Sequence, residues 1–281
     1  MAAATATGWG MHLYAHGAAW MKIRAAGVTN RAVPEFPAAP QGRTEMQLFG
    51  GSTIIGQPQD GNAFELGTAG AIVRKQHHAY LITAGHVVGA PGRPVYAPPQ
   101  EGVDFTLQQN RILIGNVVAN LEPPGGQNPR FDAAIVLLNG NVAPIEGQLS
   151  AVQWRSFMPA SRSLNAWGDG ADGSVMEMAG CWSGHHSVKQ LTQAERGQLA
   201  QGNNVVTVLN NTSMMRINLQ QGGNIDAVPV KITSGHAPVH PGDSGGPVFI
   251  DNRLAGILVG DLVVAGTCFY TPISVIMPHV P

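Results

Sequence analysis

Three residues whose side chains suit one kind of chemistry stand far apart in the 281-residue sequence. Ser244, in the stretch HPGDSGGPVF, offers a hydroxyl between an aspartate and two glycines. His86 follows the apolar run YLIT and a small-residue turn, where its imidazole would face a cleft from the end of a strand. Asp132 begins the apolar run DAAIVLL, where a carboxylate is costly to bury without a hydrogen-bond donor. A hydroxyl, a base and an orienting carboxylate are the parts that nucleophilic acyl transfer needs.

The glycines around Ser244 supply a further part, a pair of donors for a developing oxyanion. Gly242 has no Cβ, so the backbone N–H groups of Gly242 and Ser244 can point to one side. Gly245 and Gly246 are expected to leave space for a substrate to approach. Taken singly, a histidine after a strand is more often structural, and an aspartate before a strand often caps a turn. The prediction of a reactive centre therefore depends on these residues together.

Short strands are the elements that must position these residues. From about Met46 onward, apolar stretches alternate with Gly, Pro, Asn and Asp, which indicates roughly six strands on each side of a loop-rich segment. One of these strands is predicted over GTAGAIVR, residues 67–74. We predict an all-β protein of two antiparallel six-stranded β-barrels. The predicted boundaries are an N-terminal extension and linker over 1–47, a first barrel over 48–145, an inter-barrel linker over 146–174 and a second barrel over 175–281.

Composition and charge exclude several classes of protein and partner. Apolar residues make up 44% of the chain and charged residues 12%, which excludes a disordered protein. The formal net charge is −1 and there are no long Lys or Arg runs, so nucleic acid is not an expected partner. The segments GDGADG and CWSGHH lack the spacing of a calcium loop or a zinc site, so neither a metal nor another cofactor is predicted.

The location of the protein is predicted from three features. The apolar stretch 254–266 is too short to cross a bilayer and contains Asp261, so no membrane partner is expected. The N-terminus has no basic n-region, and His12 and His16 interrupt any apolar segment, so no secretory signal is predicted. Cys181 and Cys268 are too few and too distant for a disulfide framework. We therefore expect two free thiols in a cytoplasmic protein.

Taken together, the quoted stretches resemble the chymotrypsin-like (trypsin-like) serine protease family. LITAGHVV, FDAAIVLL and PGDSGGPVF follow one another in the order His, Asp, Ser, and GDSGGP is highly specific. GTAGAIV, AGCWSGHHS, LAGILVG and CFYTPIS are similar as well, so the resemblance covers about residues 46–281. The usual disulfides of the family are absent, which makes the chain similar to a bacterial-type member and fits a reducing compartment.

The resemblance implies a chymotrypsin-like double barrel with a cleft between the barrels. His86 and Asp132 would come from the first barrel and Ser244 from the second. It implies a serine endopeptidase acting on a protein or peptide substrate, with the N–H groups of Gly242 and Ser244 as the oxyanion hole. The residues that it places at the substrate-binding pocket are Pro238, His240, Val259, Gly260, Asp261 and Cys268.

Cleavage specificity is the least readable feature. Pro238 stands six positions before Ser244, where a trypsin-like enzyme keeps an acid. We therefore expect a medium-sized apolar side chain at the cleaved residue, with His240 or Asp261 modifying that preference.

Two departures from the family pattern also carry expectations. Val259 stands where many relatives have a serine that bonds to the buried carboxylate, so we expect Thr83 or a backbone N–H to serve Asp132 instead. No IVGG-type N-terminus is found to pair with Asp243, so we predict another partner, such as an arginine, and no zymogen cleavage.

Two other functions remain open at this point. One is a regulated intracellular effector or processing protease, in which residues 1–47 or the inter-barrel stretch dock a regulatory protein partner. The other is a catalytically inactive binding module on the same fold. A serine-directed covalent probe separates the active enzyme from the binding module, because labelling requires an activated serine.

Overall fold

The computed structural model describes residues 46–57, 64–75, 77–98, 108–121, 131–140, 142–149, 166–181, 183–218, 224–235, 239–251, 253–259 and 267–281. Strands predominate in these ranges and the helices are short. Across the same ranges, no helix is long and apolar enough to span a membrane.

The first half of the described chain forms one antiparallel sheet and a small parallel pair. The strands are β1 (Met46–Gly50), β2 (Thr53–Gly56), β3 (Glu65–Thr68), β4 (Ala71–Lys75), β5 (His78–Thr83), β6 (Pro94–Ala97), β7 (Ile112–Asn120), β8 (Ala134–Leu138) and β9 (Val142–Leu149). Seven of them pair in the order β3-β2-β6-β7-β8-β5-β4, and β1 pairs in parallel with β9. The two edge strands β3 and β4 are consecutive in the chain, so the sheet curls around its apolar core.

The predicted strand over residues 67–74 is wrong in one respect, because the chain breaks it into β3 and β4. At the break, a Cβ on Gly70 would overlap the side chain of Ile257 and the carbonyls of Gly245 and Ile82. Only a glycine lets the backbone turn a corner so close to the second barrel. The split raises the first sheet from the six predicted strands to seven.

The second half contains a closed barrel. Its strands are β10 (Ala166–Trp167), β11 (Val175–Gly180), β12 (Gly184–Gln190), β13 (Val206–Val208), β14 (Met215–Asn218), β15 (Asn224–Gly235), β16 (Pro247–Ile250), β17 (Arg253–Leu258) and β18 (Thr267–Pro272). Six of these strands form an antiparallel ring in the order β11-β12-β15-β18-β17-β16, with β16 pairing back to β11. This closure removes the sheet edges. The all-β double-barrel prediction is confirmed.

Within the described ranges, three short helices connect or end the strands. They are α1 (Gly85–Val88), α2 (Gln193–Gln201) and α3 (Ile273–Ile276). Helix α2 begins with a capping box, in which the Thr192 hydroxyl accepts from the Glu195 N–H and the Glu195 side chain bonds back to the Thr192 backbone. Single 3₁₀ turns cover Gln108–Asn110, Pro241–Asp243 and Met277–His279.

The two sheets share an apolar cluster at their junction. It contains Tyr80, Ile82 and Ile135 from the first sheet, Leu254 and Ile257 from the second, and Ile273, Ile276 and Val280 from the C-terminal segment. Lys75 on β4 also donates from Nζ to the carbonyl of Val280 at 2.7 Å. Residues 1–45 of the predicted N-terminal extension lie outside the described residues. The predicted domain boundaries stay predictions.

Candidate active site

His86 and Asp132 form a two-point contact. The backbone N–H of His86 donates to Oδ1 of Asp132 at 3.0 Å, and its Nδ1 lies 2.7 Å from Oδ2. Asp132 is fully buried, whereas 12% of the His86 side chain is exposed. With the Nδ1 proton held by the carboxylate, the neutral imidazole keeps its basic lone pair on Nε2. The pair therefore has the tautomer and orientation that a general base needs.

The helix and turn that hold this pair are fixed by two residues that the sequence did not single out. Asn120, at the end of β7, donates from Nδ2 to the carbonyls of Gly85 and Gly89 at 3.1 and 2.7 Å, which clamps both ends of α1. Thr271 on β18 donates its hydroxyl to the carbonyl of Asp132 at 3.0 Å. The second barrel thus contacts the carboxylate residue directly.

The two substitutes expected for the missing serine at Val259 have different outcomes. The backbone N–H of His86 does bond to the carboxylate of Asp132, as expected of a backbone donor. The hydroxyl of Thr83 donates instead to the carbonyl of Thr68, at 2.9 Å. The hydroxyl hydrogen of Thr83 is therefore not available to the carboxylate of Asp132, so that part of the expectation is wrong.

Ser244 lies directly after the 3₁₀ turn Pro241–Asp243 and before β16, and its side chain is buried. The turn is held by hydrogen bonds within the second barrel. The N–H of Gly245 donates to the backbone carbonyl of Leu258 at 2.8 Å, and the N–H of Gly246 donates to the backbone carbonyl of Asp243 at 2.9 Å. Ser244 is therefore set on a rigid corner and not on an open loop.

The two glycines after Ser244 were expected to leave space for a substrate. In the structure they allow close packing of the backbone. Gly245, and not Gly242, has a left-handed backbone, with φ of 88°. A Cβ on Gly245 would overlap the Thr83 hydroxyl, and one on Gly246 would overlap the carbonyl of Ala179. Because Thr83 directly precedes Ala84 and α1, the corner that carries Ser244 packs against the segment that carries His86.

Asp243 is buried, and its carboxylate accepts backbone hydrogen bonds within the second barrel. The N–H of Ser183 donates to Oδ1 at 2.9 Å and the N–H of His240 donates to Oδ2 at 2.7 Å. Asp243 in turn donates its own N–H to the carbonyl of His240 at 2.8 Å. These partners tie the 3₁₀ turn to the start of β12. The predicted arginine partner and the absence of zymogen cleavage stay predictions.

The structure describes three of the six predicted substrate-binding residues. Pro238, Gly260 and Asp261 lie outside the described residues. His240 is half-buried beside the turn, whereas Val259 and Cys268 are fully buried in apolar clusters. Burial, with a contribution from Asp243, raises the pKa of the Cys268 thiol to about 12, so this thiol stays protonated. Cys181 and Cys268 are both thiols and not disulfide-bonded.

Glu65 is a buried carboxyl near the pair that sequence reasoning missed. It lies on β3 with 4% exposure, and within the described part of the chain its Oε2 has no hydrogen-bond partner. Burial raises its pKa to about 7, with His86 acting to lower this value and Asp132 to raise it. The described residues contain no group of three or more His, Cys, Asp or Glu side chains that could hold a metal ion.

Comparison with known proteins places the fold. No protein-family model and no curated protein matches the chain. Solved structures do, among them Thermobifida fusca protease A and a Nocardiopsis protease, with TM-scores of 0.53 and identities of 16% and 17%. The match covers 83% of this chain and 95% of each protease. The fold is that of the chymotrypsin-like serine proteases.

A third match extends the same likeness. An alpha-lytic protease homolog, N4, has a TM-score of 0.51 and 16% identity over 83% of this chain and 96% of its own. At identities this low the likeness establishes the fold, while function has to be argued from the site. The structural neighbours are serine proteases. In this chain the chymotrypsin-like fold contains a hydrogen-bonded His86–Asp132 pair close to the corner that holds Ser244.

Proposed function

We propose that the protein is a serine endopeptidase that hydrolyses peptide bonds through His86, Asp132 and Ser244. The observation that carries the proposal is the contact between Nδ1 of His86 and Oδ2 of Asp132 at 2.7 Å. It is supported by the packing of the Gly245 corner against Thr83. A buried carboxylate that orients an imidazole beside a serine is the arrangement that activates a hydroxyl.

The first half of the reaction forms an acyl-enzyme. The Ser244 oxygen attacks the peptide carbonyl carbon while Nε2 of His86 takes the hydroxyl proton. The backbone N–H groups of Gly242 and Ser244 stabilise the negative charge on the carbonyl oxygen. The C–N bond then breaks, His86 returns its proton to the leaving amine, and the acyl group stays on Ser244.

The second half releases the acyl group by the same steps with water as the nucleophile. His86 takes one proton from water while the water oxygen attacks the ester carbon. The ester bond to the Ser244 oxygen then breaks, His86 returns its proton to that oxygen, and the acyl group leaves as a carboxylic acid. The carboxylate of Asp132 orients and stabilises the imidazolium. A protein or peptide is the substrate, and the reaction needs no cofactor.

The first test is covalent labelling with a fluorophosphonate probe followed by intact-mass measurement. The wild-type chain is expected to gain one adduct and Ser244→Ala none, because only a serine beside a base attacks phosphorus at a useful rate. Ser274→Ala is the matched control, since this hydroxyl bonds to Asp169 on the surface. That variant is expected to be labelled like the wild type.

The other outcomes distinguish the alternatives. Labelling of Ser244→Ala at the wild-type level would assign the reactive hydroxyl elsewhere and reject the proposed nucleophile. No labelling of a folded wild-type chain would reject an active enzyme by itself and favour either a partner-dependent protease or an inactive binding module. If the wild-type chain is labelled, hydrolysis of a peptide library by wild-type protein that has not been treated with the probe would then define the substrate class.

A further inference from the structure

Thr68 is a buried threonine at the end of β3, where the first sheet meets the corner that holds Ser244. Its backbone N–H donates to the carbonyl of Ser244 at 2.7 Å. Its hydroxyl donates to the carbonyl of Gly242 at 2.8 Å. One residue of the first barrel thus holds the carbonyls of both residues whose N–H groups are assigned to the oxyanion hole.

The direction of the Thr68 hydroxyl is fixed by its other neighbours. The N–H of Cys181, at the end of β11, donates to the hydroxyl oxygen of Thr68 at 2.9 Å. The hydroxyl hydrogen is therefore left for the carbonyl of Gly242. The thiol of Cys181 also lies 3.1 Å from that carbonyl, as a weaker second donor.

Thr68 is linked to the base side of the site as well. The hydroxyl of Thr83, at the end of β5, donates to the carbonyl of Thr68 at 2.9 Å. Since β5 leads through Ala84 into the helix that carries His86, Thr68 connects the strand before the base to the corner that carries the nucleophile. All of its backbone and side-chain polar groups are engaged in these four hydrogen bonds.

We propose that Thr68 is a positioning residue for the oxyanion hole, because its hydroxyl and N–H hold the peptide units that follow Gly242 and Ser244 in one orientation. This inference rests on the proposed function. Stabilisation of an oxyanion depends on donors that are already aimed before the reaction, so a small rotation of either residue weakens it. Thr68 touches neither substrate nor reacting atoms in this scheme.

The test compares Thr68→Val, Thr68→Ser and Thr83→Val in the full chain. Thr68→Val keeps the shape of the side chain and the backbone bond to Ser244 but removes the hydroxyl bond to Gly242. We expect kcat to fall about 10-fold to 100-fold with KM nearly unchanged, less than the ~10²–10³-fold loss from deleting a donor itself. Thr68→Ser restores the hydroxyl and is expected to keep kcat within about threefold of the wild type.

Thr83→Val is the matched control because it makes the same substitution at another buried threonine of this network. It removes one hydrogen bond to Thr68 but none to the corner of Ser244. Its thermal stability is expected to fall as in Thr68→Val, while its kcat falls clearly less than in Thr68→Val, because no hydrogen bond to Gly242 or Ser244 is lost. Equal losses of kcat in both variants would show a general packing effect and overturn the proposal.

A second readout does not depend on activity. The amide ¹H and ¹⁵N chemical shifts of Asp243 and Gly245 report these two peptide units directly, and those of Gly242 and Ser244 report the adjoining units that carry the proposed oxyanion-hole donors. They are expected to move in Thr68→Val and to return in Thr68→Ser. Wild-type amide shifts together with a wild-type kcat in Thr68→Val would overturn the proposal. If Thr68→Val does not fold, a large loss of kcat in Thr68→Ser would overturn it instead. A wild-type chain that cleaves no peptide would reject the proposed function, while the amide shifts would still decide the role of Thr68.

Discussion

Glu65 is a buried carboxyl that makes the stability of this fold depend on pH. Its carboxyl is enclosed on β3, and burial raises its pKa from 4.5 to about 7. Below pH 4.5 the carboxyl is protonated in both the folded and unfolded chain, so it does not affect stability. As pH rises toward 7 the unfolded chain ionises while the folded chain keeps the proton, so the free energy of unfolding falls.

Glu65→Gln is therefore expected to be more stable than the wild type at pH 8 by an amount that shrinks toward pH 4.5. Between pH 4.5 and pH 8, the difference in the free energy of unfolding between the variant and the wild type is expected to grow by about 3 kcal/mol, because each unit of pKa shift is worth about 1.4 kcal/mol. Any cost of burying the amide is the same at both pH values. Thermal or urea unfolding of the two chains across this range measures the difference.

Glu195→Gln is the matched control for this titration. Hydrogen bonds from the backbone and hydroxyl of Thr192, followed by Lys189, hold the pKa of Glu195 at about 2. This carboxylate contributes stability that is lost only as pH falls below its ordinary value, so its variant should differ from the wild type by a constant amount between pH 5 and pH 8. A constant difference for Glu65→Gln as well would contradict the prediction.

Single residues could be predicted from the sequence only where a motif surrounds them. His86 and Asp132 each stand beside an apolar strand, and the structure joins them by two hydrogen bonds. Thr68 and Glu65 lie on one short strand and have no such signal, because their importance comes from neighbours distant in the chain. Thr68 meets Gly242 across 174 positions, a pairing that no local pattern encodes.

At the scale of elements, the corner between the 3₁₀ turn and β16 depends on Gly245. Its left-handed φ of 88° and the absence of a Cβ are both required, since a Cβ would meet the Thr83 hydroxyl and the backbone of Thr68 and Ala84. Gly245→Ala is expected to destabilise the fold by about 2–4 kcal/mol, from backbone strain and displaced neighbours together. Labelling of Ser244 should fall in the same variant, because the adjacent nucleophile is displaced.

Gly92→Ala separates the two causes. Gly92 also has a left-handed φ, of 89°, but a Cβ there would meet nothing within 4 Å. The free energy of unfolding of this variant should fall by about 1–2 kcal/mol, from backbone strain alone, and its Ser244 should be labelled as in the wild type. Chemical denaturation and probe labelling of both variants check the expectation. Equal losses of stability would mean that strain alone, and not contact between the barrels, requires glycine at position 245.

Elements were predicted well where the chain alternates apolar and turn residues, and missed where polar residues are buried. Strand β12 has the sequence GHHSVKQ, and its inward positions include His186 and Gln190 as well as Val188. Hydrogen bonds make this burial tolerable: Nε2 of His186 lies 2.8 Å from the Ser183 hydroxyl, and the Gln190 amide donates to the carbonyl of Gly170 and accepts from the Tyr270 hydroxyl. Helix α2 had a readable signal in the capping box of Thr192 and Glu195, but its hydrophobic side is small, with Leu199 as its buried apolar residue.

At the scale of the molecule, the two barrels are joined by one apolar core and not only by the site. Ile276 from the C-terminal helix is fully buried in the cluster that includes Ile82 of the first sheet and Ile257 of the second. Because the His–Asp pair and Ser244 come from opposite sides of this junction, its packing sets their distance. We therefore expect the chain to unfold in one cooperative transition.

Ile276→Ala tests this coupling. Removing a buried isoleucine side chain costs about 2–5 kcal/mol, and the cavity would lie between the barrels. Amide hydrogen exchange is expected to speed up in strands of both sheets at once, β5 as well as β17, with unfolding still a single transition. Ile217→Ala is the matched control, because Ile217 is equally buried in a cluster formed by second-half residues. It should speed exchange mainly around β14. If Ile276→Ala instead produced two separate transitions, or changed exchange in one sheet alone, the barrels would be independent domains and the site would have to be held together by contacts such as those of Thr68.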